Sequence, residues 1–182
     1  MVRNSRINLG WLGSQATPLI ILLVRLFFLV ALFLLFLTEA EGIDISATGG
    51  WSKTVNEADL ISGAGSNLVD TYESSTNAST INISNCIDDQ DEWKVDVKRD
   101  DTGSWPISLI LYVRRTSDGT GGGSISGGLS YTEINPTIDS QFFEGRGDRN
   151  NITVQYKLTG MSVGITPGNR STTITFTVVD IQ

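Results

Sequence analysis

Thr173-Ile-Thr-Phe-Thr-Val-Val179 alternates polar and apolar side chains with a period of two. Only an extended strand gives such a segment one wettable and one greasy face, because successive side chains of a strand point to opposite sides of a sheet. Three other segments repeat the pattern. Trp93, Val95 and Val97 share a face in 93–99, Ile152, Val154, Tyr156 and Leu158 in 152–158, and Ile81 and Ile83 in 80–84. In 173–179 the inward set is Ile174, Phe176 and Val178. Residues 107–114 (ISLILYVR) put Ile107, Leu109, Leu111 and Val113 on one face, but Ile110 and Tyr112 make the opposite face partly apolar too. A central strand with a covered back, or a strand at an interface, reads this way. Weaker strand candidates are 43–47, 51–55 and 129–133.

Composition agrees with this rhythm. Residues 43–182 hold 15 Ile, 9 Val and 17 Thr against 6 Leu and 4 Ala. Helices favour the reverse bias, since β-branched side chains lose rotamer freedom against a helical turn. Gly49-Gly50, Asp101-Thr-Gly103, Asp118-Gly119, Gly127-Gly128 and Pro167-Gly168 supply turns between the strands. The expected fold is all-β: an antiparallel immunoglobulin-like β-sandwich of seven or eight strands behind an N-terminal apolar helix. A body of this length buries about two-thirds of its unfolded surface and needs neither disulfide nor metal to fold. Two connections are long: the polar stretch 60–79, and 118–128 (DGTGGGSISGG), whose glycines predict a flexible hairpin tip or linker.

The first 42 residues are a separate unit. Arg3 and Arg6 precede an apolar stretch, 19–37, broken only by Arg25. A basic start, a long apolar run and small residues after it make an export signal, with cleavage frames after Ala40 and after Gly42. The alternative is an uncleaved membrane anchor, for which nineteen residues at 1.5 Å rise nearly span a hydrocarbon core of ~30 Å. On either reading 43–182 is exported to the cell surface or secreted, and any membrane contact runs through 19–37.

Charge and missing residue types exclude many functions. The whole chain has 13 Lys+Arg, 20 Asp+Glu, no His and a single Cys. Without His there is no Ser-His-Asp triad and no imidazole acid or base. One Cys allows no intrachain disulfide and no Cys-rich zinc site. Leaving out Arg3, Arg6, Arg25, Glu39 and Glu41, residues 43–182 carry 10 basic and 18 acidic side chains, a net charge of −8. That balance argues against nucleic acid as a partner.

Several constellations carry candidate chemistry. Asp88, Asp89, Asp91 and Glu92 place four carboxylates in five residues, candidate ligands for calcium, which favours several oxygens on a loop. The spacing matches no EF-hand, and a solvated acidic loop is the plainer reading. No other cofactor is implied. Trp105, in a turn before the 107–114 strand, and Tyr112, on the second face of that strand, are the candidate ligand contacts for sugar stacking. Trp93 and Tyr156 stand in register with inward Val and Ile and belong to the core. Arg146-Gly147-Asp148 spells the tripeptide that integrins recognise, within ordinary polar turn material. Asn-x-Ser/Thr sequons begin at Asn77, Asn82, Asn151 and Asn169. Cys86, with no His to activate it, reads as a small apolar residue.

Thr166-Pro-Gly168 followed by Thr172-Thr-Ile-Thr-Phe-Thr-Val-Val179 resembles the C-terminal strand of bacterial secreted sandwiches of the spore-coat-U and fimbrial-subunit type. The likeness covers about 20 residues; those families' paired cysteines are absent here. It implies a structural or adhesive surface protein and not an enzyme. Ile43-Asp-Ile-Ser-Ala47 alternates, and is either this domain's own first strand or one donated to a neighbouring copy. The expected function is a non-catalytic secreted or cell-surface sandwich with a structural, adhesive or assembly role. Its partner is a surface polymer, a protein or a second copy. A carbohydrate-binding module is the alternative.

Overall fold

Three of the four alternating segments become the three longest strands, and each of the two longest sits inside a sheet. β4 (Glu92–Thr102) and β9 (Arg149–Thr159) are both 11 residues long. The computed structural model describes residues 42–102 and 105–181. The apolar segment 19–37, the helix expected there and the cleavage frame after Ala40 lie outside the described residues. Within them the chain is all-β with antiparallel sheets, and no helix is long and apolar enough to cross a membrane.

On one side of β9 lies β3 (Ser79–Ser84), flanked by β1 (Asp44–Gly49). On its other side lies β5 (Ile110–Arg115), flanked by β7 (Thr132–Glu133). The short β2 (Tyr72–Glu73) also pairs with β9, at Lys157 and Leu158. The second sheet has the order β10 (Ser171–Asp180), β4, β8 (Ser140–Arg146), β6 (Ile125–Gly127). The two stack in a sandwich-like arrangement.

Register explains the core. Ile81 faces Ile152, Leu111 faces Leu158 and Val113 faces Tyr156 in the first sheet. Val95 lies between Val178 and Phe143 in the second. Trp93, Val95, Val97, Ile81, Ile83, Val113, Ile152 and Val154 are wholly buried. Each such side chain contributes about 1.5–3 kcal/mol relative to exposure. The indole of Trp93 meets Phe143 edge to face with ring centres 6.0 Å apart.

The structure corrects four expectations. The described residues form ten strands, not seven or eight, because β2 and β6 are two- or three-residue pairings and β8 (SQFFEGR) does not alternate, while β7 falls within the expected 129–133. Ile107 is fully exposed instead of inward: the Leu109 N–H donates to the Pro106 carbonyl, and this turn delays the strand until Ile110. Residues 51–55 form no strand. Most consequentially, 118–128 is fastened to the sandwich. Residues 125–127 are β6, and Thr120 bridges Asn150. A Cβ on Gly121, whose φ is +145°, would overlap the Asp148 carbonyl oxygen. There glycine serves close backbone approach, not flexibility. Of the two readings of 43–47, the register gives the first: β1 pairs with this chain's own β3 from Asp44↔Ser84 to Gly49↔Ser79.

Candidate functional site

The second face of β5 is where the structure gathers chemistry. Leu111 and Val113 point into the core, so Tyr112 and Arg114 point out. Register places Tyr112 level with Lys157 of β9 and Glu133 of β7, and Arg114 level with Gln155. Tyr131, just before β7, completes the group. Lys157 Nζ stands 4.0 Å from the Tyr131 ring centre and 4.8 Å from that of Tyr112. The Arg114 guanidinium lies 4.8 Å from the Tyr131 ring centre, and the two tyrosines meet edge to face at 6.5 Å. Cations over aromatic faces are attracted by the ring quadrupole, by about 0.5–1 kcal/mol where solvent-exposed.

The face is held rigidly from below. Arg114 donates through Nε and one terminal nitrogen to Gln155 Oε1, at 2.9 and 2.7 Å. Gln155, itself buried, donates to the Ser74 carbonyl at 2.7 Å. Burial, and after it the Glu73 carboxylate, push the Tyr131 phenol above its ordinary 10.0. Beyond Arg114 the same face opens into a hollow of about 430 Å³ lined by Thr76, Arg114, Arg115, Thr116, Leu129 and Thr153. There Thr116 and Thr153 share a hydroxyl–hydroxyl bond of 2.8 Å. An aromatic pair beside a hydroxyl-lined hollow supplies apolar surface, and the threonine oxygens, whose protons are held by Thr76, Ser117 and each other, supply acceptors for a hydroxylated ligand.

No protein-family model matches the chain, and no curated protein or solved structure matches it significantly. The site is therefore read from its own residues.

The two expected ligand contacts do not meet. Tyr112 is on the outer face, whereas Trp105 packs against the core. The Trp105 Nε1–H donates to the Leu109 carbonyl at 2.8 Å, and Arg99 lies 4.9 Å from its ring centre. Trp105 also lines a separate groove of about 350 Å³ with Ile165 and Arg170. Tyr131, Arg114 and Lys157 were not singled out in the sequence. Their signal is the partly apolar second face of 107–114, which becomes a site only once β7 and β9 are known to flank β5.

The four carboxylates proposed for calcium are not brought together either. Among the described residues no three His, Cys, Asp or Glu side chains group as a metal ion requires. Asp88 accepts the Gln90 N–H at 2.7 Å, and buried Asp91 accepts the Ile87 N–H at 2.8 Å. Glu92 pairs with Arg146 at 2.6 Å, while the exposed Asp89 packs against Gly122 and Gly147. The Arg-Gly-Asp tripeptide forms the corner by which the chain passes from one sheet to the other. Gly147 is buried, accepts from Trp93 Nε1 at 2.9 Å and donates to the Asp91 carbonyl at 3.0 Å. Asp148 accepts the Cys86 N–H at 3.0 Å.

Burial, and after it the Asp148 carboxylate, push the Cys86 thiol from its ordinary 9.0 up to about 12. The raised value favours the neutral thiol, so its contribution to stability is complete below pH 9.0 and is lost as pH rises toward about 12. Because the thiolate is the nucleophile, alkylation by iodoacetamide at pH 8 is expected to run roughly a thousandfold slower in the folded chain than in urea. Equal rates, followed by mass spectrometry, would contradict this burial.

Proposed function

We propose that this chain is a non-catalytic, exported β-sandwich of immunoglobulin-like type that adheres to a surface glycan through the outer face of its β9-centred sheet. One observation carries the reading: Tyr112 and Tyr131, with Arg114 and Lys157, share that face beside a threonine-lined hollow. The outer row from Tyr112 past Arg114 to Thr116 is about 14 Å long at strand rise, room for a chain of about two or three sugar rings. An open hollow beside paired aromatic rings suits retention of a polymer better than turnover of a small substrate. Screening the protein on an immobilised glycan panel tests the reading. Tyr112→Ala and Tyr131→Ala are each expected to weaken retention roughly tenfold or more, as anchor aromatics do, with the melting temperature little changed. Failure to retain any glycan, or retention indifferent to both substitutions, would overturn it.

A second reading, self-assembly, is favoured by β10, whose only strand partner among the described residues is β4. Its opposite edge offers the backbone of residues 172–179 for pairing with another copy. A mass in solution equal to one chain at all concentrations would exclude it.

A further inference from the structure

We infer that the glycan held on this outer face carries sugar carboxylates, as uronic-acid-containing polysaccharides do, interspersed with neutral hydroxyl-rich residues; this rests on the adhesive reading above. Among the described residues the Lys157 ammonium makes no hydrogen bond and no ion pair, and its contacts are the faces of Tyr112 and Tyr131. Among the same residues Arg114 has no carboxylate within 4 Å, although Lys53, Lys94, Arg99, Arg115 and Arg146 all do. Of the ten cations in 43–182 five are paired in this way, and of the other five Lys157 and Arg114 stand together at the aromatic face. An aromatic ring attracts an ammonium but accepts none of its three N–H donors in the way an oxygen does. A carboxylate delivered by a ligand would accept them, and a charge-assisted bond is about twice as strong as a neutral one.

The same face carries Glu73, opposite Lys157, and Glu133, opposite Tyr112. These carboxylates accept hydroxyl donors and repel dense polyanions, which disfavours nucleic acid and fits a polymer with acid groups spaced among neutral sugars. The threonine hydroxyls of the hollow match such neutral neighbours.

The experiment uses hyaluronan, alginate and pectate, each beside its carboxyl-reduced, neutral derivative, with polyglutamate and single-stranded DNA as other polyanions. Binding is followed by biolayer interferometry. At least one acidic polysaccharide is expected to bind roughly tenfold or more tightly than its reduced form. That preference should vanish in Lys157→Gln, survive in Lys157→Arg and fall with added salt. Equal binding of the reduced forms would overturn the carboxylate inference while leaving glycan adhesion standing. Binding of polyglutamate or DNA as tight as that of the polysaccharides would overturn it as a sugar preference. Absence of binding to these polymers and to a neutral glycan panel would overturn adhesion itself. Circular dichroism and melting of Lys157→Gln separate loss of the contact from loss of the fold.

Discussion

The Arg149→Met chain is expected to lose about 3–5 kcal/mol of stability, and to lose it first around residues 118–124. Arg149 is buried, and its guanidinium donates to the carbonyls of Asp118, Gly121 and Gly122 at 3.0, 3.1 and 3.3 Å. Hydrogen bonds to a charged group are worth about 1.5–3 kcal/mol each, and a buried acceptor left without a donor costs about 1–3 kcal/mol. Methionine keeps much of the apolar stem, so the loss isolates the polar clamp. The neighbouring Arg115 does parallel work, donating to the Gly127 carbonyl at 3.0 and 2.8 Å and pairing with the Asp118 carboxylate. Because that clamp remains, the Arg149 variant should still fold, with the glycine-rich segment opening below the global transition. Hydrogen exchange measures this: the Thr120 and Asn150 amides, which bond each other's carbonyls at 2.7 Å, should lose protection while Val95 and Val154 keep theirs. Arg149→Lys should recover only part of the loss, since a single ammonium cannot span three carbonyls as the planar fork does. A melting temperature unchanged by Arg149→Met would mean that the segment is held by β6 and backbone packing alone.

The clamp also shows where sequence reading ended. The alternation in 80–84, 93–99, 152–158 and 173–179 marked β3, β4, β9 and β10 and their inward side chains, because a half-buried strand writes its two faces into the chain. β2 and β6 left no such mark, for pairings of two or three residues depend on whether a partner edge is free, a property of the assembled sheet, and β8 buries the adjacent Phe142 and Phe143, which breaks a period of two. The glycines of 118–128 read as slack because composition reports backbone freedom and not what binds the carbonyls. The guanidinium that fixes Gly121 comes from 28 positions away. The carboxylates of 88–92 were legible as a cluster, yet their directions were not, since Asp88 and Asp91 turned to nearby amides, Glu92 to Arg146, and Asp89 to the glycines at 122 and 147. At the outer face the apolar second side of β5 was visible and its partners were not: Lys157 and Tyr131 meet Tyr112 only through the order β9-β5-β7.

Trp93→Ala should be the most damaging single change, costing about 3–5 kcal/mol, the range for removing a wholly buried large aromatic. The indole fills the space under the sheet-crossing corner, and its Nε1–H satisfies the Gly147 carbonyl at 2.9 Å. Truncation therefore opens a cavity and also orphans a buried acceptor. Trp93→Phe separates the two effects: it keeps part of the volume, loses the donor, and should fall between wild type and alanine. Gly145 gives an independent check on the same contact. A Cβ there would stand 2.6 Å from both the Ser124 carbonyl oxygen and the edge of the Trp93 ring, closer than side-chain atoms tolerate. Gly145→Ala alone should therefore destabilise by about 1–3 kcal/mol through overpacking. In the Trp93→Phe background the smaller ring releases one of the two clashes, so the added cost of Gly145→Ala should shrink. Residues in contact couple in this way and distant ones do not. Urea titration of the four chains measures the coupling. Strict additivity would mean that the clash at Gly145 is wholly with the Ser124 backbone, and that the ring does not define the corner.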